Sequence, residues 1–183
     1  MERTAKKWIF AAIAGLLAAG CAADTKPTNP KLEKALNTYF ESHNVCLFPD
    51  ALKFPYEVSP GSDAKAEKKR MDALVEAGVL KEQMEAAIKV ERYTLTPLGE
   101  RVKGRFCYGH RVVTSVDGFT PPVKKDGFLE TTVNYHATLM DVPVWVKTDD
   151  MKAAFPDMAA AISGPQPGQM TLANAGAGWQ VPQ

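Results

Sequence analysis

Reactive side chains are few in this sequence of 183 residues, which has three histidines and three cysteines. His43, His110 and His136 are scattered, without His-x-His or HExxH spacing, and no Cys-x-x-Cys pair accompanies them. Zinc binding has weak support from such a pattern, and no metal or cofactor is expected. A GxSxG elbow is missing, so an activated serine has no signature of that kind. Gly176-Ala177-Gly178 reads as a turn rather than as a glycine loop that cradles phosphate. The adjacent Asp149 and Asp150 suit the start of a helix better than an acid and base pair. Charge of one sign is lacking too. With 22 Lys and Arg against 21 Asp and Glu, the net charge is +1. That balance offers no field for neutralising phosphates, and nucleic acid is not expected as a partner.

The apolar run over residues 8–19 is short. At about 1.5 Å per residue it makes roughly 18 Å of helix, well under the ~30 Å hydrocarbon core. It follows Arg3, Lys6 and Lys7 and ends at Gly20-Cys21. A basic start, a brief apolar core and small residues before a break are the parts of an export signal, in order.

The local pattern Ala18-Ala19-Gly20-Cys21, with Leu16 and Leu17 upstream, resembles the lipobox of bacterial lipoproteins. That family most often has leucine three places before the cysteine, where this chain has Ala18. The resemblance covers residues 1–21 and implies a signal peptide over 1–20, a diacylglyceryl group on Cys21, and acyl chains such as palmitate that hold the protein to a membrane. Ala22 and Ala23 follow without an aspartate, which by likeness to enterobacterial members points to the outer membrane rather than the cell membrane, facing the periplasm. Ordinary cleavage after Ala23, giving a soluble exported protein, is the plainer alternative. The two differ physically, because each buried methylene contributes about 0.8 kcal/mol and two or three chains anchor stably.

Without residues 1–20 the chain is near neutral, at −1. Residues 21–30 are polar and proline-bearing and read as a tether, leaving 31–183 as one domain. If Cys21 carries lipid, Cys46 and Cys107 are left as a pair in an oxidising compartment, where a disulfide is the default. Two separate buried thiols are the alternative.

Along the domain, Leu32, Leu36, Tyr39, Phe40 and His43 recur at helical spacing after the start signal Asn29-Pro30. The proline-rich stretch 46–61 reads as extended loop with at most a short strand. Met71, Leu74 and Val75 mark a second helix that Gly78 can end, and Lys65, Lys68, Lys69 and Arg70 form a solvated basic face, interrupted by acids. Tyr93 and Leu95 alternate as in a strand, and Thr96-Pro97 can open a short helix. From Cys107 the composition favours strands. Residues 128–140 alternate cleanly, with Leu129, Thr131, Val133, Tyr135, Ala137 and Leu139 on a dry face and Glu130, Thr132, Asn134, His136 and Thr138 on a wet one. VPVWV, 142–146, reads as an edge segment, 148–162 as a helix broken at Pro156, GPQPGQ as a loop, and 169–181 as a closing hairpin that returns Trp179 to the core.

The passage LVEAGVL followed by YTLTPLGERV resembles the helix-then-wing sequence of winged-helix domains over residues 74–103. In that family the shape can serve DNA binding, which an exported chain has no occasion for, so here it implies a scaffold.

The fold expected is α+β: N-terminal helices over 31–104, winged-helix-like in part, packed with a C-terminal antiparallel sheet of about four strands over 105–183. Aromatic residues gather in that second half, where most pack the core. Arg105, Arg111, His136 and Trp145 are the candidates for lining a ligand groove. The function expected is non-enzymatic binding or scaffolding by a lipid-anchored envelope protein, whose partner is an envelope protein or cell-wall component. Two alternatives are a periplasmic hydrolase without a sequence signature, and a winged-helix DNA binder should the signal be misread.

Overall fold

The computed structural model describes residues 25–59, 61, 64–87 and 89–182. Residues 1–20, expected to be a signal peptide, and Cys21 lie outside the described residues. Pro30 sits in the first turn of helix α1 (Asn29–Glu41), where a missing N–H costs nothing. Two short strands follow, β1 (Asn44–Cys46) and β2 (Tyr56–Val58), then α2 (Ala64–Glu76), β3 (Leu80–Glu85), β4 (Val90–Leu95) and α3 (Pro97–Val102). The second half comprises β5 (Cys107–Phe119), β6 (Val123–Lys125), β7 (Phe128–Met140), a 3-10 helix (Val144–Lys147), α4 (Asp149–Ala154), α5 (Pro156–Ile162), β8 (Gln166–Asn174) and β9 (Trp179–Gln180).

The architecture is α+β, with wholly antiparallel pairing in two sheets. The larger has six strands in the order β1-β5-β7-β8-β9, with β6 also beside β7, and the smaller has three in the order β2-β4-β3. The expectation of about four strands is therefore corrected upward, and the helices are not confined to the N-terminal part. β1, β6 and β9 are too short for an alternating pattern to register. β3 (LKEQME) buries Leu80 at its start and almost nothing after it, so it carries no alternation either.

Two apolar clusters hold the elements together. In one, Leu32, Leu36 and Phe40 of α1 press on Val113, Val116, Val133, Tyr135, Ala137 and Leu172 of the large sheet, with Trp179 joining them. The odd-numbered dry face of β7 is the face that α1 covers. In the other, Met71 and Leu74 of α2 and Tyr93 of β4 meet Trp145, Val146, Met151, Phe155 and Met158. Trp145 and Val146 are consecutive and both buried. A one-sided strand cannot bury two neighbours in sequence, and that is why VPVWV becomes a 3-10 turn instead of an edge strand. Thr148 caps α4 by accepting from Met151 N, and Pro156 ends that helix and opens α5. GPQPGQ also differs from its reading, since β8 begins at Gln166. β9 pairs only Ala173 and Asn174, so Pro167 lies on an open edge, where a strand tolerates proline.

Cys46 of β1 stands opposite Cys107 of β5, and their sulfurs are 2.10 Å apart, at disulfide distance. His43 lies beyond the end of α1 and is exposed, stacked on Tyr39 with ring centroids 3.7 Å apart. Among the described residues no helix is long and apolar enough to cross a membrane.

Candidate functional site

Four residues were singled out from sequence as groove candidates, and the fold disperses them. Arg105 Nε donates to Phe48 O at 3.3 Å just before β5. Arg111 lies over the Phe40 ring, 5.9 Å from its centre, at the α1 side of the sheet. Trp145 is core, and its buried Nε1 has no hydrogen-bond partner among the described residues. Arg105 and Arg111 are exposed at these separate places, and His136, half-buried, stands on the face of the large sheet turned away from α1.

That outer face is a constructed one. A regular β5 would alternate from Val113, putting Ser115 and Asp117 on the same side as Val113, against α1. The register instead slips between Val113 and Ser115 and again between Val116 and Gly118, each slip inserting one extra residue. Bulges of this kind re-aim side chains. Ser115 thereby comes opposite His136, Val116 turns inward opposite Tyr135, and Asp117 is carried to the outer side. Asp117 then ties the group together: Ser115 Oγ donates to Asp117 Oδ1 at 2.9 Å, and His136 Nδ1 lies 2.7 Å from Asp117 Oδ2. Neighbouring rungs are bonded similarly, with Gln169 Nε2 donating to Asn134 Oδ1 at 2.8 Å and the Thr132 and Thr171 hydroxyls 3.3 Å apart. Asp117 and Ser115 were missed in the sequence reading. The only trace was an aspartate and glycine inside a strand pattern, a known mark of a bulge.

Chemically this cluster holds and presents polar groups. Acyl transfer needs a serine hydroxyl against the imidazole, with the carboxylate behind it. Here the carboxylate stands between serine and imidazole, so the histidine cannot take the serine proton. With Nδ1 engaged by Asp117, His136 Nε2 has no partner among the described residues, and the ring orientation is fixed for a contact from outside.

A second polar cluster joins α2 to the small sheet. Lys68 Nζ lies 2.8 Å from Glu91, 3.1 Å from Asp72 and 3.2 Å from Glu82. The carboxylate oxygens of these three acids lie within 4.8 Å of one another, a spacing that could hold a cation. The Lys68 ammonium already supplies positive charge at that point. Burial acts to lower the Lys68 pKa, and the hydrogen bonds to Glu91, Asp72 and Glu82 outweigh it, raising the pKa overall. Tyr93 donates to Asp72 Oδ1 at 3.0 Å and to Glu91 Oε2 at 3.1 Å, and its hydroxyl pKa is raised by burial first and by the bond to Asp72 next. Tyr56 donates to Glu67, a bond that, with burial, pushes its pKa up to about 12. Arg92 completes the belt with Glu57 and Glu85, each at 2.8 Å. The cluster is a partly exposed strut that ties α2 to the small sheet. It accounts for much of the basic face read from α2, because Lys68 is enclosed by acids and Lys69 Nζ donates to Ala153 O at 2.9 Å.

No protein-family model, curated protein or solved structure matches this chain.

Proposed function

We propose that this protein is a lipid-anchored component of the bacterial cell envelope, held to the membrane through Cys21 and facing the periplasm. Its folded body binds or scaffolds another envelope component, a protein or part of the cell wall, without turning over a substrate. One structural observation carries the placement. Cys46 and Cys107 meet at disulfide distance, as cysteines do in proteins kept in an oxidising compartment. It agrees with the order of charge, apolar run and cysteine at the N-terminus. Anchoring confines the domain to a thin layer and raises its effective concentration for partners there.

The outer face around Asp117 and His136 is the surface this reading assigns to the partner, since its groups are held by bonds across the strands and pay little ordering entropy on contact. The passage from α2 to the β3–β4 hairpin, with β2 beside β4, supports a winged-helix-like scaffold for the first half. It does not favour DNA as ligand: α2 packs against α4, and two of its four basic side chains are engaged within the fold.

A photo-crosslinking residue placed at Asn134 tests the reading in growing cells. A discrete adduct is expected from Asn134, lost when Asp117→Ala and His136→Ala are combined, and absent when the crosslinker is moved to Lys34 on the exposed side of α1. Equal adducts at both positions, or none at Asn134, would contradict the proposal.

A further inference from the structure

A cleft of about 660 Å³ opens where the end of β7 passes α4 and α5. Its size falls inside the range of roughly 300–1,000 Å³ typical of small-molecule sites. One side is hydrocarbon: Leu139, Met140, Val142 and Ile162 line it, and Leu139, Val142 and Ile162 rest directly on the core beneath. The other side is cationic. Lys147, at the end of the 3-10 helix, and Lys152, in α4, come from the same short stretch of chain and both border the opening. Lys147 has no ion-pair partner among the described residues, and Lys152 meets only Asp149 at 3.4 Å, whose side chain is fully exposed.

The one carboxylate in the lining, Asp141, is itself engaged by His110 Nδ1 at 3.4 Å. The wall it belongs to is fixed by the backbone. Asp141 has φ 58°, a left-handed conformation that aspartate tolerates better than most residues. A Cβ on Gly109 would lie 2.4 Å from Met140 O, so only glycine lets β5 come that close to this wall. Apolar surface is left open in the lining, where Met140 is 48 % exposed.

We propose that this cleft binds a single-chain fatty anion, its alkyl tail along Leu139, Met140, Val142 and Ile162 and its carboxylate at the rim formed by Lys147 and Lys152. An uncharged chain would leave the cationic side unmatched, and a small anion would leave the apolar side wet, so an amphiphile fits where neither half alone does. This site is separate from the sheet face assigned above and does not depend on where the protein resides.

Calorimetric titration of the full chain carrying Cys21→Ser tests it, so that no acyl group attached at that position can compete. Dodecanoate below its micelle concentration should bind saturably at one site. Dodecanol should bind at least about tenfold more weakly, and acetate not at all. Combining Lys147→Ala with Lys152→Ala should bring dodecanoate down to the affinity of dodecanol. Ile162→Trp, which fills the cleft, should abolish binding of both, with Ala159→Leu as a second filling variant and thermal melts establishing that each variant is folded. Absence of saturable dodecanoate binding, or binding that survives both filling variants, would overturn the proposal.

Discussion

Gly99 shows what a single side chain decides here. A Cβ at that position would lie 2.1 Å from Val79 O and 3.0 Å from Leu95 Cδ2, because α3 is pressed onto the start of the small sheet. The same residue's N–H donates to Thr96 Oγ1 at 3.0 Å, capping the helix. Gly99→Ala must therefore push backbone from backbone, and it should cost about 1–3 kcal/mol or more, read as a lower urea midpoint at unchanged slope. An unchanged midpoint would mean that α3 does not sit against Val79.

Residue-level legibility follows the same physics. Alternation along residues 128–140 is a strict period of two, so the dry and wet faces of β7 could be read directly, including His136 on the wet one. Asp117 could not be placed, because its side is set by two slips of register that leave no regular trace in composition. Residue type does not disclose what the fold sets beside Arg105, Arg111 and Trp145, which are the Phe48 carbonyl, the Phe40 ring and the core respectively.

At the scale of elements, β1 is joined to the large sheet by only a short, bulged pairing with β5, and the Cys46–Cys107 link reinforces it. Closing a loop over a sequence separation of 61 contributes about 4 kcal/mol on chain-entropy grounds. The double substitution Cys46→Ser, Cys107→Ser should lose an amount of that order in urea unfolding, and native protein should show neither cysteine open to alkylation. Two alkylated thiols in the native state, or a loss under ~1 kcal/mol, would contradict the link.

The strut between α2 and the small sheet makes a prediction in pH. Tyr56, whose pKa moves from 10.0 to about 12 through its bond to Glu67 and its burial, favours the folded state as a neutral phenol. Its contribution is whole below about pH 10 and is lost as pH rises through about 12. Tyr93 and Lys68 are shifted upward as well and act in the same alkaline window. Melting temperature should fall more steeply from pH 9 to 12 in the parent than in Tyr56→Phe. Parallel curves would show that the phenol is not coupled to folding.

The helices α1, α2, α3, α4 and α5 announce themselves by spacing, caps and prolines, and all were legible to within a few residues. The strands that escaped, β1, β3 and β6, are short or polar, and β1 also pairs far away in sequence, with β5, whereas the hairpin of β8 and β9 falls within the closing hairpin expected over 169–181. β3 and β4 make a hairpin that Lys68 of α2 bridges through Glu82 and Glu91, and such charge matching is invisible until the helix is placed beside the sheet.

For the whole molecule, near-neutral charge and a disulfide-distance pair accompany two surfaces, one polar and one amphiphilic, to which the proposals above assign ligands. The account turns on Cys21, which the sequence pattern marks and which lies outside the described residues. Cells fed a clickable fatty acid should label the wild-type chain and not its Cys21→Ser variant, and only the wild type should sediment with membranes after a high-salt wash. An unlabelled wild-type chain that fractionates with its variant would contradict lipid anchoring at Cys21.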